Sequence, residues 1–468
     1  MRNSTSSSRG WVLGLAALAS FMVALDALVV TTALTSIQRD LHATVEQLDW
    51  TVNAYNLSFA VLILTASAFG DRFGRRRVFA GGIALFSLAS AACALSGSIG
   101  LLVAARAVQG VGAAAVMPLA LTLVSAAFPP EQRGRTLGIL GGLMGLAVAS
   151  GPLIGGAVVN GLAWSWIFWI NVPIGFVCVP LVLRRIPESR APRAALDPAG
   201  LSTGTLAALG LVWALSRGNV AGWGSAEVLG GFVVAVAGLV AFMAIERRVR
   251  EPMLPPAFFG SRAFSAGNAA GALMVAALYG AVFLMAQYLQ TVLGASPLVT
   301  GVELLPWTAT PLLIAPGAGA AADRLGARPL LAAGLALQAL GLAWVGLEAG
   351  VGTSYGALVP GLIVAGVGVS MGLPAAQSVV IGAVPPAAVG KASGINSTAR
   401  QLGGVFGIAV AVAVFAGAGS LASPHAFADG FTPALLASAG LSVLGCVAAL
   451  VLPGARPVRE VAMAPAAS

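Results

Sequence analysis

The sequence predicts an all-α integral membrane protein, built as two six-helix bundles with two further helices inserted between them. Three observations carry this reading. Of 468 residues, 58% are hydrophobic and only 9% charged, and the mean hydropathy is +0.93; soluble domains carry about 25% charged residues. Fourteen apolar runs follow one another, each about the ~20 residues a membrane-crossing helix needs. The basic side chains gather in every second connection, as topology in a bilayer demands. The runs are continuous rather than alternating, which excludes a β-barrel. The 60 glycines suit helices that pack backbone to backbone in lipid.

In chain order, the polar, Ser-rich start from Met1 to Gly10 leads into a first run at about 11–34. That run is too long for a signal-peptide core, so it reads as a retained helix. The second and third runs, 49–69 and 78–96, flank Gly70-Asp71-Arg72-Phe73-Gly74-Arg75-Arg76-Arg77. This loop is too short for a domain and too charged for lipid. Runs four to six cover 100–125, 137–160 and 166–183. A polar linker, Pro187-Glu188-Ser189-Arg190-Ala191-Pro192, then precedes runs seven and eight at 199–216 and 227–245. Runs nine to fourteen cover 265–290, 301–322, 329–348, 356–383, 397–417 and 434–452. The Ala/Pro-rich stretch after Pro453 is expected to be a disordered tail.

With the N-terminus in the cytoplasm, every Lys and Arg except Arg39, Arg106 and Arg217 falls in a cytoplasmic connection or a terminal tail. Both termini are therefore expected inside a multi-pass protein of the plasma membrane. The net charge of +9 is then a matter of topology, and no nucleic-acid partner is expected.

Two stretches repeat. Gly319 and Asp323-Arg324-Leu325-Gly326-Ala327-Arg328 echo the 70–77 loop. Pro129-Pro130-Glu131-Gln132-Arg133-Gly134 is echoed from Pro385, with Lys391 in the place of Arg135. Runs one to six thus match runs nine to fourteen. Duplicated bundles of this kind are typical of secondary transporters. The domains follow: 1–186, an N-terminal six-helix bundle; 187–262, linkers and the inserted helices; 263–453, a C-terminal six-helix bundle; 454–468, the tail. Cys93, Cys178 and Cys446 lie in apolar runs, and His42 and His425 are isolated. No disulfide, metal site or cofactor is expected. No His cluster, paired acids at the membrane face or active-serine motif suggests an enzyme, and no loop could hold a signalling domain.

Four stretches resemble the major facilitator superfamily. The 70–77 loop is similar to its Gly-x-x-x-Asp-Arg-x-Gly-Arg-Arg signature, with Ser67 at the first glycine. The resemblance implies that Asp71, Arg72, Gly74, Arg75 and Arg76 form a cytoplasmic gating loop that latches the two halves. Gly74 permits the tight turn, and Glu131 is a candidate partner for the arginines. Arg106-Ala107-Val108-Gln109-Gly110-Val111-Gly112 resembles the fourth-helix Arg-x-x-Gln-Gly-x-Gly stretch. Arg106 lies about 9 Å inside its helix, where it either faces the bundle interior or snorkels to the outer surface. Gly151-Pro152-Leu153-Ile154-Gly155-Gly156 resembles the fifth-helix stretch of the antiporter branch, whose glycines allow close packing and whose proline bends the helix. Leu25-Asp26-Ala27-Leu28-Val29-Val30 resembles the first helix of the fourteen-helix drug:proton antiporters, with Thr35 replacing a usual proline. Trp164-Ser165-Trp166-Ile167-Phe168 resembles the same family's sixth helix, with Ser165 for an arginine, and reads as an interfacial anchor.

The resemblance implies a major facilitator fold of fourteen helices. The protein would work by alternating access as a proton-coupled antiporter exporting small lipophilic compounds, cationic ones included, such as drugs or antibiotics. Its partners would be that substrate, protons and the bilayer, and it would act as a monomer. A proton symporter or uniporter for a small nutrient is the alternative. Asp26 would carry the proton and Arg106 would be its switch partner; a carboxyl hydrogen-bonded to a neighbouring helix is the structural alternative for Asp26. Candidate substrate contacts are the polar and aromatic residues within matching runs: Asn53, Tyr55, Asn56, Tyr279, Gln287, Gln290 and Trp307. Glu303 falls near the outer end of its run and is expected to be solvated.

Overall fold

The computed structural model describes residues 2–189, 197–249, 256–311, 313–314, 326–385 and 388–452. Every regular element among them is helical. The N-terminal bundle comprises α1 (Arg2–Leu41), α2 (Val45–Phe73), α3 (Arg75–Ala94), α4 (Ile99–Ala127), α5 (Pro130–Gly161), the single turn α6 (Trp166–Trp169) and α7 (Asn171–Arg185). Then come α8 (Pro198–Ala221), α9 (Ala226–Glu246) and the short α10 (Pro256–Phe259). The C-terminal bundle holds α11 (Arg262–Thr291), the short α12 (Pro297–Glu303) and α13 (Leu305–Thr308), α14 (Ala327–Glu348), α15 (Tyr355–Gly382), α16 (Val389–Ala418) and α17 (Pro424–Leu450).

Helix starts are written in the sequence. The first amides of a helix have no partner within it. Thr44 supplies one to α2 in a reciprocal capping box with Gln47, and the hydroxyls of Ser98, Ser225, Ser261, Ser296 and Ser423 accept from the third amide of the helix that follows. Among the described residues, eleven helices are long and apolar enough to cross a membrane, or twelve if α2, bent by 51° between Ile63 and Thr65, counts as one span. This is a multi-pass helical membrane protein.

Two details differ from the sequence reading. The expected 70–77 loop is reduced to Gly74: α2 continues through Phe73 and α3 starts at Arg75. Main-chain bonds stay satisfied when a helix runs past the bilayer, and the Asp71–Arg75 pair, 2.8 Å apart, spans the corner. Gly74 turns it with φ +110°, a conformation that costs a residue with a Cβ about 1–3 kcal/mol. Arg400, tallied with the cytoplasmic connection although the 397–417 run already contains it, sits well inside α16, which begins earlier, at Val389. The preceding Ser393, Gly394, Ser397 and Thr398 read as polar, yet they are small enough to continue a packed helix. The second Asp-Arg copy at 323–325, most of the linker from Arg190, residues 250–255 and the tail from 454 lie outside the described residues.

The cores show how the bundles meet. One buried cluster, around Phe79, Phe86, Leu119 and Cys178, belongs wholly to the N-terminal bundle. Two others, around Leu331, Leu335 and Ala376 and around Phe264, Val380 and Ile395, belong wholly to the C-terminal one. The largest cluster joins both, with Val29, Leu34 and Phe168 packed together with Phe283, Leu289 and Phe415. Its members come from the ends of the helices remote from Gly74. At that end, the backbones of α5 and α12 nearly touch: a Cβ at Gly156 would lie 3.0 Å from Leu298 Cα, and one at Gly301 2.8 Å from Leu153 Cα. Gln290 Nε2 donates to the Thr32 carbonyl across the same seam at 3.0 Å. The bundles are thus fused at one end and hold separate cores toward the Gly74 end. The α8–α9 pair packs on α2 and α16 from the side, with Trp213 against Trp50 at 6.1 Å and Val212 between Leu57 and Val405.

Candidate functional site: a buried ion pair and the seam beside it

Two helices of the N-terminal bundle, α1 and α4, bring a carboxylate and a guanidinium together away from solvent. Asp26 on α1 is 1% exposed and Arg106 on α4 is 0% exposed. Arg106 Nη1 donates to Asp26 Oδ2 at 2.5 Å. Two amides complete the carboxylate's shell at its other oxygen: Gln109 Nε2 at 2.9 Å and Asn171 Nδ2, from the start of α7, at 2.9 Å. Ser90 Oγ on α3 accepts from both amides, at 3.2 and 2.9 Å, and itself donates to the Phe168 carbonyl at 2.9 Å. Four helices are therefore locked to one carboxylate.

The guanidinium is held as fully on its other sides. Its Nε donates to the Thr51 carbonyl of α2 at 3.0 Å, and Nη1 also reaches Gln109 Oε1 at 2.7 Å. The Tyr55 ring lies 4.2 Å from Arg106 Cζ and the Phe168 ring 5.7 Å, so aromatic faces replace water around the cation. Nη2 alone is buried without a partner. Two isolated charges here would each cost several kcal/mol of desolvation; the pair survives because it is compensated and hydrogen-bonded on nearly every side. The expected partnership of Asp26 and Arg106 is thus a direct contact, and Arg106 does not snorkel. Sequence reading missed Ser90, Gln109 and Asn171 as members. Gln109 is one short helical step from Arg106 on the same face, and Asn171 is a lone amide in an apolar run, so a signal was present for both.

The remaining candidates divide. Asn53 donates to Asp49 at 2.5 Å, while its Oδ1, and that of the buried Asn56, have no partner. Tyr55 donates weakly to the Val23 carbonyl at 3.4 Å, its ring under Arg106. Trp307 is 2% exposed and its Nε1 is unpartnered. Tyr279 of α11 packs its ring at Gly404 of α16, within the C-terminal bundle. Gln287 donates to its own helix at the Phe283 carbonyl, 2.9 Å away, and Gln290 bridges the bundles as described; both have structural uses. Glu303 is half-buried, with Oε2 unpartnered, rather than solvated.

The loop and the α5 stretch have clear local roles. Arg76 N donates to Glu188 Oε1 at 3.0 Å, and the Arg76 and Arg77 side chains lie 3.6 and 3.8 Å from Glu188 Oε2. Arg75 N donates to the Ser189 carbonyl, and Arg72 rests over Phe73 at 5.5 Å. The described contacts of the loop thus stay within the N-terminal bundle and use Glu188; the Glu131 side chain lies outside the described ones. On α5, Gly151 faces Leu28 of α1 and Gly155 faces Val29 and Thr32, while Gly156 and Pro152 meet α12. That one turn fits α5 to its own bundle and to the opposite one.

The chain is thus built as two membrane bundles joined at one end, with a buried ion pair in one of them. A sequence profile described as the Major Facilitator Superfamily matches residues 16–302 and again 267–466, and the chain belongs to that superfamily. It is 37% identical over 406 residues to the Tetracenomycin C resistance and export protein of Streptomyces glaucescens, covering 86% of this chain and 75% of that one. It is 37% identical over 398 residues to the Multidrug resistance protein Stp of Mycobacterium tuberculosis, covering 85% and 74%. A solved structure of the peptide transporter POT superposes with a TM-score of 0.69 at 15% identity, covering 95% of this chain and 96% of that one, which confirms the fold.

Proposed function

We propose that this protein is a proton-coupled efflux transporter that exports small lipophilic compounds such as antibiotics. Resistance and export relatives at this identity and coverage support the export direction. The observation that carries the coupling is the Asp26 carboxylate, buried and bound by Arg106, Gln109 and Asn171. In this reading the ionised carboxylate holds α1, α3, α4 and α7 together. A proton on Asp26 weakens its charge-assisted bond to Arg106, and charge-assisted bonds are about twice as strong as neutral ones. Loosening that knot beside the seam changes how the bundles fit, which is how a proton would bias alternating access. The bundles fused away from Gly74 suit a state closed on the outer face, with both termini in the cytoplasm.

The reading includes fourteen spans, with α5 and the run beginning at α12 supplying the two beyond the twelve. The gating loop would act by keeping α2 and α3 rigid through Glu188, and the chain would work as a monomer. Asn53, Tyr55, Asn56, Tyr279 and Trp307 would line the path. The test is purified protein in proteoliposomes loaded with a fluorescent lipophilic dye. An imposed pH gradient should drive dye against its own gradient in exchange for protons. Dye that moves with the protons, or ignores them, overturns antiport.

A further inference from the structure

The C-terminal bundle carries a cation, Arg400, that no acid among the described residues neutralises. Arg400 lies on α16, about 16 Å along the helix from Val389, at a depth where lipid would surround an outward-facing side chain. It points inward instead: its Cγ is 3.9 Å from where a Cβ on Gly271 of α11 would lie, next to Asn396 Nδ2 at the same distance. Among the described residues it has no acid within ion-pairing distance, and its Nε is buried without an acceptor. The Tyr279 ring of α11 packs at Gly404 of α16, 2.6 Å from where a Cβ would lie, one helical turn from Arg400. In the N-terminal bundle, Tyr55 covers Arg106.

Each bundle therefore holds a cation beside a tyrosine: Arg106 with Tyr55 in the N-terminal bundle, and Arg400 near Tyr279 in the C-terminal one. The charges do not cancel. Asp26 is matched by Arg106, and Arg400 is left over. Charged side chains at membrane depth are expensive and are found where they meet a partner or a pathway. Asn396 is an unsuitable neutraliser, because its Nδ2 is already turned to Asn268 Oδ1 at 3.1 Å.

We infer that Arg400 and the Tyr279 hydroxyl form a subsite for an anionic group, a carboxylate or an ionised enol, on the transported compound. The inference rests on the transport reading above and narrows it: with Asp26 already matched, the seam favours a compound bearing negative charge over a cation. A planar guanidinium binds such a group through paired N–H donors, and a tyrosine hydroxyl beside it adds a third. The anion would supply the missing counter-charge within the C-terminal bundle.

The test is equilibrium binding to full-length protein in lipid nanodiscs, with no pH gradient. The probes are a coumarin-3-carboxylic acid and its methyl ester, which differ in the charged group. Wild type should bind the acid about tenfold or more tighter than the ester, as one charge-assisted contact implies. Arg400→Gln should erase that preference while leaving ester binding unchanged. Arg400→Lys should keep part of it, and Tyr279→Phe should reduce it without perturbing folding. Equal binding of acid and ester by wild type, binding of neither, or a preference that survives both Arg400→Gln and Tyr279→Phe overturns the subsite. Should Arg400→Gln fail to give a monodisperse protein, Arg400→Lys and Tyr279→Phe decide. Acid binding through Arg400 without pH-driven efflux would retain the subsite and refute the exporter; pH-driven efflux indifferent to Arg400 would do the reverse.

Discussion

Replacing Asp26 by asparagine changes little in volume but turns the centre of the N-terminal bundle against itself. The carboxylate accepts three donors, from Arg106, Gln109 and Asn171. An amide offers one oxygen for them and presents its own NH2 to whichever donor remains. The guanidinium stays at 0% exposure with no counter-charge. Breaking one side of a buried pair in this way costs about 3–5 kcal/mol. Asp26→Asn should therefore lower the midpoint of thermal unfolding in detergent and abolish pH-driven efflux. Both effects would follow from damage alone, so the double variant Asp26→Asn/Arg106→Gln is the deciding one. With both charges removed, the two amides and Gln109 can pair as neutral groups, and neutralised buried pairs are often no less stable than the originals. The expected outcome is recovered stability with efflux still lost. Proteoliposome efflux and fluorescence-detected size exclusion after heating measure the two separately. Recovery of pH-driven efflux in the double variant would refute the proton role of Asp26. An Asp26→Asn protein as stable as wild type would refute the account of its burial.

Three further outcomes test the frame around that pair. Gly74→Val puts a Cβ within 2.7 Å of the Glu188 carboxyl carbon at a backbone angle disfavoured for valine, and should destabilise the α2–α3 corner by about 1–3 kcal/mol; protease sensitivity near residue 74 reads this, and unchanged sensitivity argues against the clamp. Gly156→Leu has no room beside Leu298 and should force α5 from α12, raising labelling of a cysteine introduced at Leu298 with a membrane-impermeant thiol reagent; unaltered labelling would show that the seam does not depend on close packing there. Reporter fusions after Arg193 and Arg250 should be cytoplasmic and one at Gly222 external, and any other pattern removes the inserted pair from the membrane.

Helix existence was legible because the bilayer imposes length and hydropathy on every span, and the capping residues Thr44, Ser98 and Ser225 mark the ends in local chemistry. The corner at Gly74 was legible as a turn but not in extent. Charge in the sequence says where water begins, whereas the helix ends only where the backbone needs a positive φ. Arg400 was misplaced for the same reason: Ser393, Gly394, Ser397 and Thr398 look like a loop by composition, but helix–helix packing against α11 decides the matter. The partnership of Asp26 and Arg106 was anticipated from depth along two helices. Its amide shell was not, because Ser90, Gln109 and Asn171 come from three separate elements, and spacing in the chain does not encode which faces of α3, α4 and α7 meet.

Glu188 and Arg400 make opposite uses of charge, and the contrast bears on mechanism. Glu188 reaches back to two arginines at the membrane edge, Arg76 about a quarter exposed and Arg77 mostly exposed, which exchange one set of partners for water at little cost; exposed pairs contribute about 0–1 kcal/mol. Its worth is geometric, through the Arg76 amide that it fixes at the start of α3. Arg400 has a buried Nε with no acceptor and no acid beside it among the described residues, so the bundle bears that desolvation in the unloaded state. Such a cost is relieved when an anion arrives beside Arg400 and Tyr279. An unmatched cation among the described residues of the C-terminal half, beside a matched pair in the N-terminal half, divides the work: protons would act on one wall and the transported anion on the other.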